Sequence, residues 1–212
     1  MADNTTTTPQ SPPTPTPTPT PIVTTDKCII RAYVPSDAEA MAAAANYPEI
    51  AQYMRNTFPH PYTLESARYW IEQSTRASPT VNFGIFTPGA AAAEEEEQGG
   101  GGGTFAGAIG LIPRADIEYR TWEVGYWVAM DHWGKGIATS ALKAFSAWAF
   151  EQFPELLRIE AGVFSENVAS LRVLERAGFT REGLRRQAIC KKGKIIDQVT
   201  FSLLRDDLRD LH

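Results

Sequence analysis

Residues 127–140 combine a strand, a tight turn and the start of a helix in one short stretch of this chain. The stretch opens with aromatic and β-branched residues, passes through Gly134-Lys135-Gly136 and continues into an alanine-rich segment. The first turn of such a helix presents N–H groups without partners in the helix, together with the positive end of the helix dipole. Both features attract anions such as phosphate. The stretch therefore predicts a binding site for a ligand that contains phosphate.

The glycine turn is by itself a weak signal, because ordinary turns also use glycine. No P-loop pattern surrounds Lys135, and Thr139 stands where a dinucleotide-binding fingerprint would have its third glycine. The turn is therefore interpreted from its place between a strand and a helix.

The charge of the chain is unevenly distributed. The 212 residues include 20 basic and 25 acidic side chains, which gives a formal net charge of −5. Asp3 and the glutamates at 94–97 account for the whole surplus, so the remaining sequence is neutral. Nucleic-acid-binding proteins usually have a basic excess, and we therefore expect no nucleic-acid partner. No apolar run reaches the length of a membrane span, so we also expect no membrane partner.

The two cysteines, Cys28 and Cys190, lie far apart in the sequence and have neither metal-binding nor redox spacing. No secretory signal pattern is present, and both thiols are expected to be reduced. These observations favour a cytoplasmic protein, with the nucleus as a second compatible compartment, and they predict no bound metal.

Low-complexity segments define the expected domain organisation. Residues 1–24 are dominated by threonine and proline and predict a disordered tail. Residues 90–103, rich in alanine, glutamate and glycine, predict a flexible insertion in a loop between two strands. One folded domain is expected over residues 25–212.

Hydrophobic periodicity predicts the element order β-α-α-β-β-β-α-β-α-β-β, which is a mixed α/β layered sheet. Ser36, with Glu39 three residues later, predicts the capping box of the first helix. Strands are expected at 28–34, 81–86, 104–112, 119–130, 157–164, 184–190 and 195–204, and helices at 36–46, 64–77, 137–153 and 167–177.

Two ordered sequence blocks indicate a family. Residues 133–138 read Trp-Gly-Lys-Gly-Ile-Ala, and residues 167–179 read Asn-Val-Ala-Ser-Leu-Arg-Val-Leu-Glu-Arg-Ala-Gly-Phe. The first block resembles the pyrophosphate loop of the GNAT superfamily of N-acetyltransferases, Arg/Gln-x-x-Gly-x-Gly/Ala, except that Trp133 replaces the polar first residue. The second block is similar to the Asn-x-x-Ser…Gly-Phe helix of the ribosomal-protein N-terminal acetyltransferase (Rim-type) branch. Gly-Tyr-Trp at 125–127 also resembles this branch.

The resemblance implies a GNAT-type central mixed sheet of about seven strands flanked by about four helices, with the fourth and fifth strands splayed apart. It further implies acetyl-CoA as co-substrate, with its pantetheine arm between the splayed strands. The cofactor-binding residues implied in this way are Trp127, Val128, Gly134, Lys135, Gly136, Ile137, Ala138, Thr139, Asn167 and Ser170. Two alternatives stay open, because Lys135 is equally compatible with a solvated lysine and Asn167 with a plain helix N-cap.

Aminolysis of a thioester requires a neutral amine, so a base must remove a proton. Glu123 matches the acidic position of the relatives' Glu-x-Gly-Tyr-Trp pattern and is the expected catalytic base, although a solvent-facing glutamate fits equally well. Glu160, in the neighbouring strand, is the second candidate. Ser170 is the expected catalytic acid for the departing thiolate, and Tyr126 is the alternative.

The leading hypothesis is an enzyme that transfers the acetyl group of acetyl-CoA to a primary amine by direct attack in a ternary complex. The acceptor, a protein N-terminus or a small amine, stays open, as does the oligomeric state. The alternative hypothesis is a non-catalytic acyl-CoA-binding sensor or regulatory module. Substrate contacts are expected from residues 46–62, the 112–120 loop and the basic last hairpin, which contains Arg181, Arg185, Arg186, Lys191, Lys192 and Lys194.

Overall fold

The structure of the protein is a computed structural model that describes residues 19–88 and 103–211. A single sheet of eight strands lies at the centre of this described part. Every pair of neighbouring strands is antiparallel except β5 and β6, which are parallel. In their order across the sheet, the strands are β1 (Val23–Thr24), β2 (Ile29–Arg31), β3 (Asn82–Pro88), β4 (Gly103–Pro113), β5 (Thr121–Val128), β6 (Arg158–Phe164), β8 (Lys194–Leu204) and β7 (Thr180–Lys191).

Helices cover both faces of the sheet and create two hydrophobic cores. On one face, Met41 and Ile71 pack with Phe86 and Trp127. On the other face, Phe145 and Leu174 belong to a larger core that includes Val124. The first face is covered by α1 (Ala38–Ala45), α2 (Pro48–Ala51) and α3 (Leu64–Arg76), and the second by α4 (Ile137–Gln152) and α5 (Val168–Arg176).

The alternation of side chains along β5 explains how one strand contributes to both cores. Successive residues of a strand point to opposite faces of the sheet. Val124 and Tyr126 therefore pack on the side of α4 and α5, while Trp127 packs on the side of α1–α3. Glu123 lies on the same face as Trp127.

The strands β5 and β6 correspond to the expected fourth and fifth strands, because β1 was not expected. They are splayed, as the resemblance implies. They pair only where residues Thr121–Glu123 lie beside Arg158–Glu160, whereas β4 and β5 pair over the whole length of β5. Beyond Glu123 and Glu160 the two strands separate. The backbone of β5 from Val124 onwards thus has a strand partner on one side only.

The predicted mixed α/β class is confirmed, but the described residues contain eight strands and five helices, compared with about seven and about four expected. The additional elements are β1 and α2, which have two and four residues. Elements this short do not repeat the hydrophobic period of their structure type, so periodicity does not reveal them. The last hairpin also begins earlier than expected, at Thr180.

The predicted cap at Ser36 is wrong. Ser36 lies inside a short 3-10 turn, Pro35–Asp37, that precedes α1. The carboxylate of Asp37 accepts a hydrogen bond from the Val34 N–H at 2.8 Å and pairs with the buried guanidinium of Arg31 at 2.9 Å. The acidic side chain, which has a buried cationic partner, therefore organises this corner.

The predicted tail and insertion extend beyond the described residues. Residues 1–18 of the tail and 90–102 of the insertion lie outside them. At the boundaries, the structure differs from the expectation, because Val23–Thr24 pairs with β2 as β1 and Gly103 opens β4. Within the described ranges, no helix combines the length and the apolar character that a membrane crossing requires.

Candidate functional site

The gap between β5 and β6 leaves backbone groups available to a ligand. The Ala129 N–H donates to the Ala106 carbonyl of β4 at 2.8 Å. Because N–H groups alternate sides along a strand, the N–H of Val128 points towards the gap. The carbonyl of Val128 accepts a hydrogen bond of 2.7 Å from the indole Nε1 of Trp133. An extended ligand arm in the gap would therefore meet the N–H of Val128, next to the buried Trp127.

The loop after β5 has the geometry of an anion cradle. Gly134 and Gly136 have φ angles of 75° and 78°, a left-handed conformation that glycine adopts without strain. Gly136 is the N-cap residue of α4, no side chain caps this end, and the first helical turn contains no acidic residue. The N–H groups of Ile137, Ala138 and Thr139 therefore point out of the helix end without a side-chain acceptor. These residues fit a diphosphate.

Trp133 has a structural explanation that the sequence did not supply. Its hydrogen bond to Val128 ties the start of the loop to the end of β5. The side chain at the first position of the loop motif thus fixes the loop and leaves no polar group there for phosphate. Lys135 is exposed beside it.

The α5 helix brings a hydroxyl pair to the opposite border of the site. Asn167 caps this helix, because its Oδ1 accepts from the Ser170 N–H at 3.1 Å. The Ser170 hydroxyl lies 2.9 Å from the hydroxyl of Tyr126 on β5. Burial raises the pKa of Tyr126 to about 12, so this phenol is protonated at neutral pH. Among the described residues, the side-chain N–H groups of Asn167 donate no hydrogen bond.

The two candidate bases differ in their surroundings. Glu123 and Glu160 lie side by side where β5 and β6 last pair. The Oε1 of Glu123 accepts from Arg55 at 2.6 Å, and the Arg55 side chain is 63% exposed. Glu160 accepts from Arg158 at 2.9 Å through one oxygen and from Arg114 at 3.0 Å through the other. Both oxygens of Glu160 are thus engaged.

A second carboxylate extends the ion-pair network around Glu160. Arg158 also pairs with Glu182, which accepts a hydrogen bond of 2.8 Å from the buried Ser202. Arg158 and Ser202 hold the pKa of Glu182 down at about 2. Sequence reasoning missed this network, although the alternation of Arg158 and Glu160 along one strand indicated a shared face.

The predicted catalytic residues lie on opposite faces of the sheet. The side chain of Glu123 is on the α1–α3 face, whereas Ser170 and Tyr126 meet on the α4–α5 face. Both sets border the gap that opens after Glu123. A thioester in this gap would have the carboxylate on one side and the hydroxyl pair on the other.

An open groove of about 390 Å³ leads to the splayed end of β6. Its walls are α2 with the segment that follows it, the end of β6 and the β7–β8 hairpin, represented by Tyr53, His60, Phe164, Glu166 and Lys192. The rings of Tyr53 and Phe164 meet edge to face at 6.2 Å. Lys191 of the hairpin donates to the Met54 carbonyl at 2.6 Å and connects the two walls. The expected acceptor region thus includes this groove.

The aromatic residues of the expected acceptor region 46–62 divide between groove and core. Tyr53 lines the groove. Phe58 packs against Tyr62 at 4.8 Å and against Trp127 at 6.1 Å, so it belongs to the core beneath the site. Among the described side chains, no group of three or more His, Cys, Asp or Glu residues is arranged to hold a metal ion.

Comparison with known proteins gives a consistent result. The model of the GNAT acetyltransferase domain matches residues 27–180. YoaA, an uncharacterized N-acetyltransferase of Bacillus subtilis, is 30% identical over 87% of this chain and 97% of its own length.

Solved structures show the same fold. RimL, a ribosomal L7/L12 α-N-protein acetyltransferase in complex with coenzyme A, has a TM-score of 0.71 at 18% identity, covering 89% of this chain and 99% of its own. RimJ of Mycobacterium smegmatis, in complex with CoA-disulfide, has a TM-score of 0.70 at 23% identity, covering 91% of this chain and 88% of its own.

Proposed function

The chain belongs to the GNAT acetyltransferase family, and from this premise we propose that it transfers the acetyl group of acetyl-CoA to a primary amine by direct attack in a ternary complex. The expected family and the N-acetyltransferase class are confirmed by these relatives. One observation supports the proposal most strongly: the half-paired end of β5 is followed by a short loop with two left-handed glycines and then by an uncapped helix N-terminus. A pantetheine arm and its diphosphate need these two features in this order.

Cofactor binding is assigned to the residues that border the gap. The backbone of Val128 would pair with the pantetheine arm, as an added strand does, while the N–H and carbonyl of Trp127 are directed towards β4. The diphosphate would accept N–H groups from the loop and the first turn of α4, where a helix end favours anions. The free amide of Asn167 would reach the arm from α5. Coenzyme A is bound in the neighbouring structures of RimL and RimJ, which supports this assignment.

Glu123 is the proposed base for the incoming ammonium group. A general base needs a carboxylate oxygen that can receive the proton, directly or through water. Both oxygens of Glu160 already accept hydrogen bonds from arginine. Glu123 has one arginine partner, Arg55, and the side chain of Arg55 is exposed. Displacement of Arg55 would leave the Glu123 carboxylate facing the acceptor.

Ser170 is the proposed acid for the departing thiolate. When the amine nitrogen forms its bond to the acetyl carbonyl carbon, the carbon–sulfur bond breaks and sulfur takes the electron pair. The Ser170 hydroxyl would donate its proton to the sulfur. The Tyr126 hydroxyl, protonated at neutral pH, would in turn donate to Ser170 and would regain a proton from solvent. After the attack, the nitrogen loses its second excess proton to solvent. The overall products are an N-acetylated amine, coenzyme A and one proton.

A turnover screen tests the proposal. Release of the CoA thiol from acetyl-CoA would be followed with a thiol reagent, against peptides with different first residues, polyamines and amino sugars. We expect saturable thiol release with at least one class of amine and none without acceptor. Binding of acetyl-CoA in calorimetry without turnover across the panel would favour the sensor hypothesis, and absence of acetyl-CoA binding would overturn both.

A further inference from the structure

The turn between β1 and β2 is attached to the first turn of α4. Within the turn, the Thr25 hydroxyl accepts N–H groups from Lys27 at 3.2 Å and Cys28 at 3.0 Å. The same oxygen accepts from the Ser140 hydroxyl of α4 at 3.0 Å. Thr25 and Ser140 are 115 residues apart, so this contact fixes a distant segment against the phosphate loop.

The attachment places the Lys27 ammonium beside the loop. A Cβ atom built on Gly136 would lie 3.0 Å from the Nζ of Lys27. Lys27 is exposed, and among the described residues its ammonium makes neither a hydrogen bond nor an ion pair. The cation is therefore available to a ligand on the loop.

The dipole of α4 disfavours cations at this position and favours anions. The N-terminus of α4 is the positive end of a sixteen-residue helix, and cations there are destabilising. Lys27 and Lys135 both lie at this end, and its first turn contains no acidic residue that compensates them. A bound diphosphate would reverse the sign of the interaction for both lysines.

The identity of Trp133 leaves the first position of the loop without a side chain that can contact phosphate. The indole of Trp133 is engaged with Val128 and offers phosphate no charge. Besides Lys135 of the loop itself, the cation beside Gly136 is Lys27, which belongs to another element. The β1–β2 turn is the element that the Thr25–Ser140 contact holds at the loop.

We propose that Lys27 binds the diphosphate of acyl-CoA and supplies the positive charge that the loop lacks at Trp133. The proposal rests on the proposed function only for the identity of the ligand, and it does not require turnover. It adds to the site a residue from a segment that precedes both motif blocks.

Calorimetry with wild-type protein and Lys27→Met tests the assignment, with Lys143→Met as the control because Lys143 is an exposed lysine farther along α4. A charge-assisted hydrogen bond corresponds to about a tenfold change in affinity. We expect Lys27→Met to weaken CoA and dephospho-CoA about tenfold each. Lys27→Arg should restore most of the affinity, and Lys143→Met should match wild type.

The phosphate that Lys27 contacts is identified by the choice of ligand. Acetyl-pantetheine lacks the diphosphate, so Lys27→Met should use it with an unchanged kcat/KM. Unliganded Lys27→Met should melt at the same temperature as wild type or higher, since a cation leaves the positive helix end, and saturating CoA should raise its Tm less than that of wild type.

Three outcomes would overturn the proposal. One is wild-type affinity of Lys27→Met for CoA. Another is a loss of affinity in Lys27→Met that is seen with CoA but not with dephospho-CoA, which would assign Lys27 to the 3′-phosphate. The third is a loss of kcat/KM with acetyl-pantetheine as large as the loss of affinity for CoA, which would show a structural defect. CoA binding without turnover in wild type would instead refute the proposed function and leave this inference standing.

Discussion

Glu123 and Glu160 lie directly beside each other in the last register pair of β5 and β6, yet only Glu160 has an arginine on each carboxylate oxygen. The two glutamates therefore differ in their ability to accept a proton from a substrate, although they lie side by side. Glu160 contributes to a network that holds three segments together, while Glu123 has a single exposed partner, Arg55. Where the strands separate, both oxygens of Glu160 are thus occupied by arginines, whereas the single arginine partner of Glu123 can be displaced.

Replacing each glutamate by glutamine should separate these roles. Loss of a general base reduces rates by about 10²–10⁴-fold, so Glu123→Gln should lower kcat by this factor at neutral pH while the affinity for acetyl-CoA is unchanged. Glu160→Gln should lower kcat less than Glu123→Gln and should destabilise the protein by about 1 kcal/mol, the upper end for exposed ion pairs. Thiol-release rates and urea unfolding measure the two effects. A larger loss of kcat in Glu160→Gln than in Glu123→Gln would instead identify Glu160 as the base.

Arg55 should compete with the acceptor for Glu123. An incoming ammonium group and the Arg55 guanidinium are both cations, and exposed ion pairs of this type contribute up to about 1 kcal/mol. Arg55→Gln should therefore lower the KM for the amine by about threefold to fivefold, and leave the KM for acetyl-CoA unchanged. Arg76→Gln is the matched control, because it removes an exposed pair with Glu72 on α3. A raised amine KM in Arg55→Gln would instead make Arg55 an acceptor-binding residue.

The sequence predicted those parts of the fold and site that depend on local patterns. The helix α4 begins at Ile137 as expected, because two glycines define its start and a long amphipathic pattern follows. Asn167 and Ser170 were recognisable because three residues on a helix span one turn. Local spacing therefore identified the loop and the α5 cap.

Long-range partners could not be predicted in this way. Arg55 is 68 residues from Glu123, and an exposed arginine in a loop has no local pattern that indicates its partner. Lys27 is likewise placed at Gly136 by the Thr25–Ser140 contact and by the packing of β1 and β2 against α4. The opposite faces of Glu123 and Ser170 follow from the register of β5, and spacing between motifs does not contain that information.

The Tyr126–Ser170 pair should affect the chemical step and not cofactor binding. Ser170→Ala removes the proposed donor to sulfur, and general acid catalysis typically contributes 10²-fold or more, so kcat should decrease by about that factor. Tyr126→Phe removes only the group that donates to Ser170 and should decrease kcat less. Calorimetric affinity for CoA should be nearly unchanged in both variants. Equal losses of affinity and kcat would show that the pair positions the pantetheine arm.

Glu182 should make the stability of the protein depend on acid pH. Its pKa is lowered from 4.5 to about 2 by Arg158 and Ser202, so its contribution is fully present above pH 4.5 and is lost as the pH falls towards 2. Glu182→Gln lacks this contribution at every pH. The urea midpoint of wild type should therefore exceed that of Glu182→Gln at pH 7, and the difference should shrink at pH 3. Glu175→Gln, an exposed change on α5, should follow the wild-type curve. A constant difference between wild type and Glu182→Gln from pH 7 to pH 2 would show that the charge of Glu182 is not what stabilises the β6–β7 contact.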